Sequence, residues 1–205
     1  MKYKKIASFI KKRKYVSIHT KRNEQWISDG FAAYPIIGMR IMSEDEILRF
    51  LDFQQNDNIT VTNWTAEDIC LDDTDKEETY IKKLGPSLML GDTVYMTFYT
   101  ELGALLVKEA YIAPCCSHYG EGELSFWLRF TLKGTPYIAV KKGLILLAAI
   151  LPEKTWGIGD HTLEQYLELC NMIRLTNGRM KDFETESEDK NEQTTFNGQT
   201  NSLGP

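Results

Sequence analysis

Cys115, Cys116 and His118 form a C-C-x-H cluster in which two thiols and an imidazole crowd together. A metal there would need a fourth ligand, for which Cys70 and His161 are candidates. Adjacent cysteines in a strand point to opposite faces, so both rarely reach one ion. The cluster therefore reads as small buried residues closing a strand, with no metal. A Cys–His nucleophile pair at Cys116 is the enzymatic alternative. The chain has no C-x-x-C pair and no secretion signal, which implies reduced thiols.

Carboxylates are the second candidate chemistry. Asp29, inside the run Trp26 to Tyr34, could act as an acid or base, but beside Gly30 its ordinary role is to form a turn. Glu121 and Glu123 flank Gly122, and residues 67 to 78 hold seven acids around Lys76. The acidic run reads as a solvated loop, with a cation site as the alternative; calcium ligand spacing of the EF-hand type is absent. Dinucleotide-binding, P-loop, nucleophile-elbow and zinc-protease motifs are all missing. The expectation is a non-enzyme without cofactor.

The basic residues are distributed most unevenly. Nine of the 24 lysines and arginines precede the first acid, Glu24, so a cationic N-terminal segment adjoins a strongly acidic remainder. Lys2, Lys4, Lys5, Lys11, Lys12, Arg13 and Lys14 could track phosphates on nucleic acid, since clustered cations release condensed counterions on binding. A solvated helix face is the plainer alternative. Tyr3, Ile6, Ala7 and Ile10 recur at helical spacing, which predicts a helix with one apolar face and Lys4, Lys5, Lys11 and Lys12 opposite.

Further elements must position these groups. Tyr15 to Thr20 alternates like a strand, and Gln25 to Ile37 reads as a second one with Asp29-Gly30 inside it and Pro35 at a bend or edge. Ser43 and Glu46 form a capping box that starts a short helix ending near Phe53, followed by a β-branched strand, Ile59 to Trp64. Runs at 93–100, 104–113, 124–132, 136–140 and 144–151 read as strands of an antiparallel half, with turns at Lys133-Gly134 and Lys142-Gly143. A last helix, capped at Thr162 with Gln165, ends at Asn177-Gly178. Trp156 precedes it among glycines and could anchor a protein partner.

The fold class is thus α+β, antiparallel sheets with a few helices. Residues 1–153 form a single domain, 154–180 a C-terminal helical segment, and 181–205 an acidic, polar tail expected to be disordered. The chain has 205 residues, 42% of them hydrophobic and 26% charged, with a formal net charge of -5. This excludes a disulfide miniprotein, a collagen, a rod or a wholly disordered chain. The longest apolar run, Leu144 to Leu151, is too short for a membrane span, and the basic N-terminus lacks the apolar stretch of a signal peptide. A cytoplasmic protein without membrane contact is expected.

Several pieces resemble a domain of a bacterial DNA sliding clamp. Trp26-Ile27-Ser28-Asp29-Gly30-Phe31-Ala32-Ala33-Tyr34 is similar to a clamp strand carrying Asp-Gly between small and apolar residues. The capped helix Ser43 to Phe53 with the strand Ile59 to Trp64, and the pair Thr135 to Val140 and Leu144 to Pro152, resemble a clamp's helix-then-strand and its closing strands. The resemblance implies a DNA-clamp-like architecture and a non-catalytic accessory role in DNA replication or other DNA transactions, such as those of a mobile element. Clamps repeat this domain within a chain and this one holds a single copy, so a ring around duplex DNA would imply a homo-oligomer. An interaction or regulatory module with a protein partner and no nucleic-acid role is the second hypothesis, and an enzyme at Asp29 or Cys116 a third.

Overall fold

A computed structural model describes residues 1–21, 23–64, 68–85, 87–116 and 124–153. The chain divides into two units, Met1–Thr155 and Trp156–Pro205. The expected C-terminal helix, Trp156, His161 and the acidic tail lie outside the described residues, as do His118, Glu121 and Glu123.

The first unit is α+β and mostly strand. Helix α1 (Tyr3–Arg13) leads into β1 (Tyr15–Lys21), β2 (Glu24–Ser28), β3 (Ala32–Pro35), α2 (Glu44–Phe50) and β4 (Thr60–Asn63). Strands β5 (Thr79–Ile81), β6 (Leu88–Leu90), β7 (Thr93–Thr100) and β8 (Gly103–Lys108) follow, then α3 (Glu109–Ile112), β9 (Leu124–Phe130), β10 (Pro136–Lys142) and β11 (Ile145–Ile150). Eight strands pair in the order β4-β1-β2-β3-β11-β10-β9-β5, and β6-β7-β8 form a second sheet.

The large sheet is mixed rather than antiparallel throughout. β4 runs parallel to β1, with Val16 opposite Val61, because the chain crosses over through β2, β3 and α2 before returning. The expected strand from Gln25 to Ile37 is two strands. Asp29 Oδ1 accepts hydrogen bonds from the backbone N–H of Phe31 and Ala32, both at 3.0 Å, and Gly30 takes φ +90°. That side-chain turn reverses the chain, so β2 and β3 pair as a hairpin with Ile27 opposite Tyr34. The strand expected over 104–113 stops at Lys108 and becomes α3. Tyr111 and Ile112 are adjacent and both buried, which a helical turn permits and an alternating strand facing one core does not. Cys115 and Cys116 therefore follow a helix rather than close a strand.

Both faces of the large sheet are covered. Along β10, Ile138 and Val140 face a core shared with Ile6 and Ile10 of α1, Ile47 of α2, and Met96 and Phe98 of the second sheet. Tyr137 and Ala139 face the opposite core with Trp26, Ala33 and Leu71. Leu71 belongs to the acidic loop, so that loop is a cover as well as a solvated surface. Asp72, Asp73 and Glu77 are exposed, as expected, while the backbone beneath them is fastened to the sheet by Arg129.

Candidate nucleic-acid interface

Helix α1 is held from its apolar side. Ile6 and Ile10 are fully buried, a contribution of about 1.5–3 kcal/mol each. Tyr3 donates from its hydroxyl to the Pro35 carbonyl at 3.3 Å, accepts from the Ile37 N–H at 2.9 Å, and packs edge-on against Phe50. At the other end Phe9 packs edge-on against Tyr111 of α3, with ring centres 5.1 Å apart. The helix is therefore fixed against rolling, and the sequence spacing decides what it shows to solvent.

Lys4, Lys5, Lys11 and Lys12 fall in one arc around the exposed Ser8, opposite Ile6 and Ile10, and all are exposed. An 11-residue helix is about 16 Å long, enough to run beside several phosphates. Lys14 caps the helix in the left-handed conformation, with φ 55°, and is exposed as well. Lys2 is half-buried, and its backbone N–H donates to the Pro114 carbonyl at 2.9 Å.

Not all seven cations are equally available. Lys11 pairs with Asp57 at 2.8 Å and holds that carboxyl below its ordinary range. Arg13, the last residue of α1, falls on the Ile6 side of the helix rather than in the lysine arc, and turns toward the β2–β3 turn and α3. Its Nε stands 3.2 Å from Asp29 Oδ2, its Nη2 donates to the Tyr111 hydroxyl at 3.3 Å, and its guanidinium stacks 3.8 Å from the centre of the Phe31 ring. Tyr111 in turn donates to Asp29 Oδ2 at 3.0 Å, which closes a ring of three. Burial, then the Asp29 charge, push the Tyr111 phenol up to about 12, so it keeps the proton it donates. Asp29 is buried and serves both as the turn-former the sequence implied and as the anchor of Arg13. Among the described residues, Lys4, Lys5, Lys12 and Lys14 make no ion pair.

A second charge cluster escaped the sequence reading. Arg129 of β9 is fully buried, and every N–H of its guanidinium is engaged. Nε and Nη2 donate to Glu78 Oε2 at 2.8 and 2.6 Å, Nη1 to the carbonyls of Cys70 and Asp72, and Nη2 also to the carbonyl of Asp73. Lys141 of β10, also buried, donates to both Glu78 oxygens at 2.6 and 2.7 Å and lies 4.9 Å from the centre of the Trp127 ring. Burial raises the Glu78 pKa, but the two cations outweigh it and hold the carboxyl below its ordinary value. The available signal was phase: Arg129 pairs with Tyr137 across the strands, and Lys141 alternates with Tyr137 and Ala139 on a buried face.

Two of the cysteines, Cys70 and Cys115, have thiols shifted away from the thiolate form. Burial pushes the Cys115 thiol up to about 12, and its Sγ contacts the Leu147 carbonyl at 3.8 Å. The Cys116 Sγ contacts the Ile112 carbonyl at 3.7 Å, and Cys70 is raised by burial too. Among the described residues, no three of His, Cys, Asp and Glu converge as a metal site, and no helix is long and apolar enough to cross a membrane.

No family model, curated protein or solved structure matches this chain.

Proposed function

We propose that this protein is a non-catalytic accessory factor in DNA transactions that holds duplex DNA through the exposed face of α1. The observation that carries the reading is the placement of Lys4 and Lys5. Both sit in the first turn of a helix with no acid there, where the positive end of the helix dipole disfavours a cation. Neither makes an ion pair among the described residues, and neither supports the core. Lys11, Lys12 and Arg13 in the last turn match the dipole and have a structural reason to be there. Lys4 and Lys5 have none within the fold, and an external anion would offset the unfavourable dipole where plain solvation of the face would not. Regular phosphates along a duplex supply that anion at helix-length spacing. The likeness of Trp26 to Tyr34 and of the closing strands to a sliding-clamp domain supports the same reading, and with it a homo-oligomer around the duplex.

Charge reversal separates function from stability. The double variant Lys4→Glu/Lys5→Glu gains about 0.5 kcal/mol per site in helix stability, because acids suit the first turn. It should lose duplex binding at low salt, measured by fluorescence anisotropy, while its melting temperature holds or rises. Unchanged affinity would refute the proposed role of α1 and leave a protein-interaction module as the better account.

A further inference from the structure

Between the last turn of α1, the turn before β7 and the start of α3 lies a cleft of about 840 Å³. That is within the range of small-molecule sites, about 300–1,000 Å³. Its lining is divided by element. α1 supplies Lys12 and Arg13, the latter paired with the lining carboxylate of Asp29; the turn and α3 supply Asp92 and Glu109, with Lys108 beside them already paired with Glu153; and the rings of Phe9 and Tyr111 supply apolar wall.

Arg13 is the informative residue. Its guanidinium is fixed by the Phe31 ring, the Asp29 carboxylate and the Tyr111 hydroxyl, yet only its Nε–H and one Nη2–H are engaged among the described residues. Among the described residues the Nη1 amino group and the second Nη2–H have no hydrogen-bond partner, on a side chain 35% exposed whose charge also reaches the Glu153 carboxylate. A guanidinium edge held rigid in this way loses little freedom when it meets a tetrahedral or planar anion, and its fork can bind two oxygens at once. Lys12, adjacent in sequence and exposed, adds a second positive charge beside it. Glu109 is partly engaged, accepting from the Ser87 hydroxyl at 3.2 Å, while Asp92 is exposed and makes no ion pair among the described residues. These two carboxylates repel an anion and accept hydrogen bonds from hydroxyl or amino groups.

We propose that this cleft binds a phosphate monoester with a hydroxyl-bearing body the size of a nucleotide. The phosphate would lie on the open edge of Arg13 beside Lys12, and the body would lie toward Asp92 and Glu109. A phosphate monoester carries close to two charges at neutral pH and so matches the pair of cations. It could come from a free nucleotide or from the 5′-phosphate at the end of a nucleic acid. The inference goes beyond duplex binding by α1 and stands without it.

Calorimetric titration with AMP and with adenosine, and anisotropy with a DNA hairpin bearing either a 5′-phosphate or a 5′-hydroxyl, test it. AMP should bind at least tenfold more tightly than adenosine if the free nucleotide is the ligand. The phosphorylated hairpin should bind at least tenfold more tightly than its hydroxyl counterpart if the nucleic-acid end is the ligand. In either case Arg13→Lys, which keeps the charge but loses the fork, should remove most of the difference. Lys12→Ala, at an exposed position that folding does not need, should weaken binding several-fold. Equal binding with and without the phosphate in both pairs, or phosphate binding unaltered in both variants, would overturn the proposal. The hydroxyl hairpin reports duplex binding separately, so failure of that reading is seen independently.

Discussion

Two arginines in this fold are each held by a carboxylate and do opposite things with the rest of their hydrogen-bonding capacity. Arg129 is fully buried and spends every N–H on Glu78 and on the carbonyls of Cys70, Asp72 and Asp73. It is a fastener that ties the acidic loop to the sheet. Arg13 is 35% exposed, is anchored on Asp29, Tyr111 and Phe31, lines a cleft, and among the described residues has donors without a hydrogen-bond partner. Anchoring without saturation is what a recognition group needs, because the cost of ordering the side chain is met by the fold before any ligand arrives. The contrast shows that a buried carboxylate beside an arginine does not by itself distinguish a structural site from a binding site. The count of unspent donors does.

The largest test of that contrast is at Glu78. Glu78→Ala would leave Arg129 and Lys141 as buried cations without a counterion, at 0% and 3% side-chain exposure. The expected loss is about 3–5 kcal/mol in urea unfolding. The effect should also be pH-dependent. The Glu78 pKa is lowered in the folded state, so its contribution is fully present above the ordinary carboxylate value and is lost as pH falls through the lower folded value. The gap in stability between wild type and Glu78→Gln should therefore narrow toward acid pH; a gap constant across that range would mean that the cluster is not an ionised network.

Asp29→Ala should cost less, about 2 kcal/mol. It removes two backbone hydrogen bonds at the β2–β3 turn and the anchor of Arg13, whose guanidinium can still reach water. The same variant should weaken phosphate binding in the cleft by freeing Arg13, whereas Glu78→Ala, if it folds at low temperature, should not. A Glu78 variant that lost phosphate binding while folded would erase the distinction between the two clusters.

Much of the scaffold was legible. The spacing of Tyr3, Ile6, Ala7 and Ile10 predicts α1 and its buried face, and both Ile6 and Ile10 are buried. Ser43 caps α2 with Glu46 closing the box, its carboxylate accepting from the Ser43 N–H at 2.9 Å. What was missed depends on long-range pairing. Nothing local tells β1 to accept β4 as a parallel neighbour. Asp29-Gly30 carried a hairpin signal that the apolar residues on either side concealed, and α3 replaced a strand end because Tyr111 and Ile112 both had to be buried. Arg13 read as one more cation of the basic N-terminal segment, since sequence spacing does not show where the Asp29 carboxylate lies.

The same accounting of spent and unspent charge applies along α1, where Lys11 is paired and Lys4 and Lys5 are not. The claim that these lysines face DNA is tested most directly by sedimenting the whole protein with and without duplex DNA at low and at physiological salt. The account predicts co-sedimentation at low salt that falls steeply as salt rises, each engaged phosphate contributing about 0.9 to the log–log slope. A protein that sediments alone at both salt concentrations would contradict it.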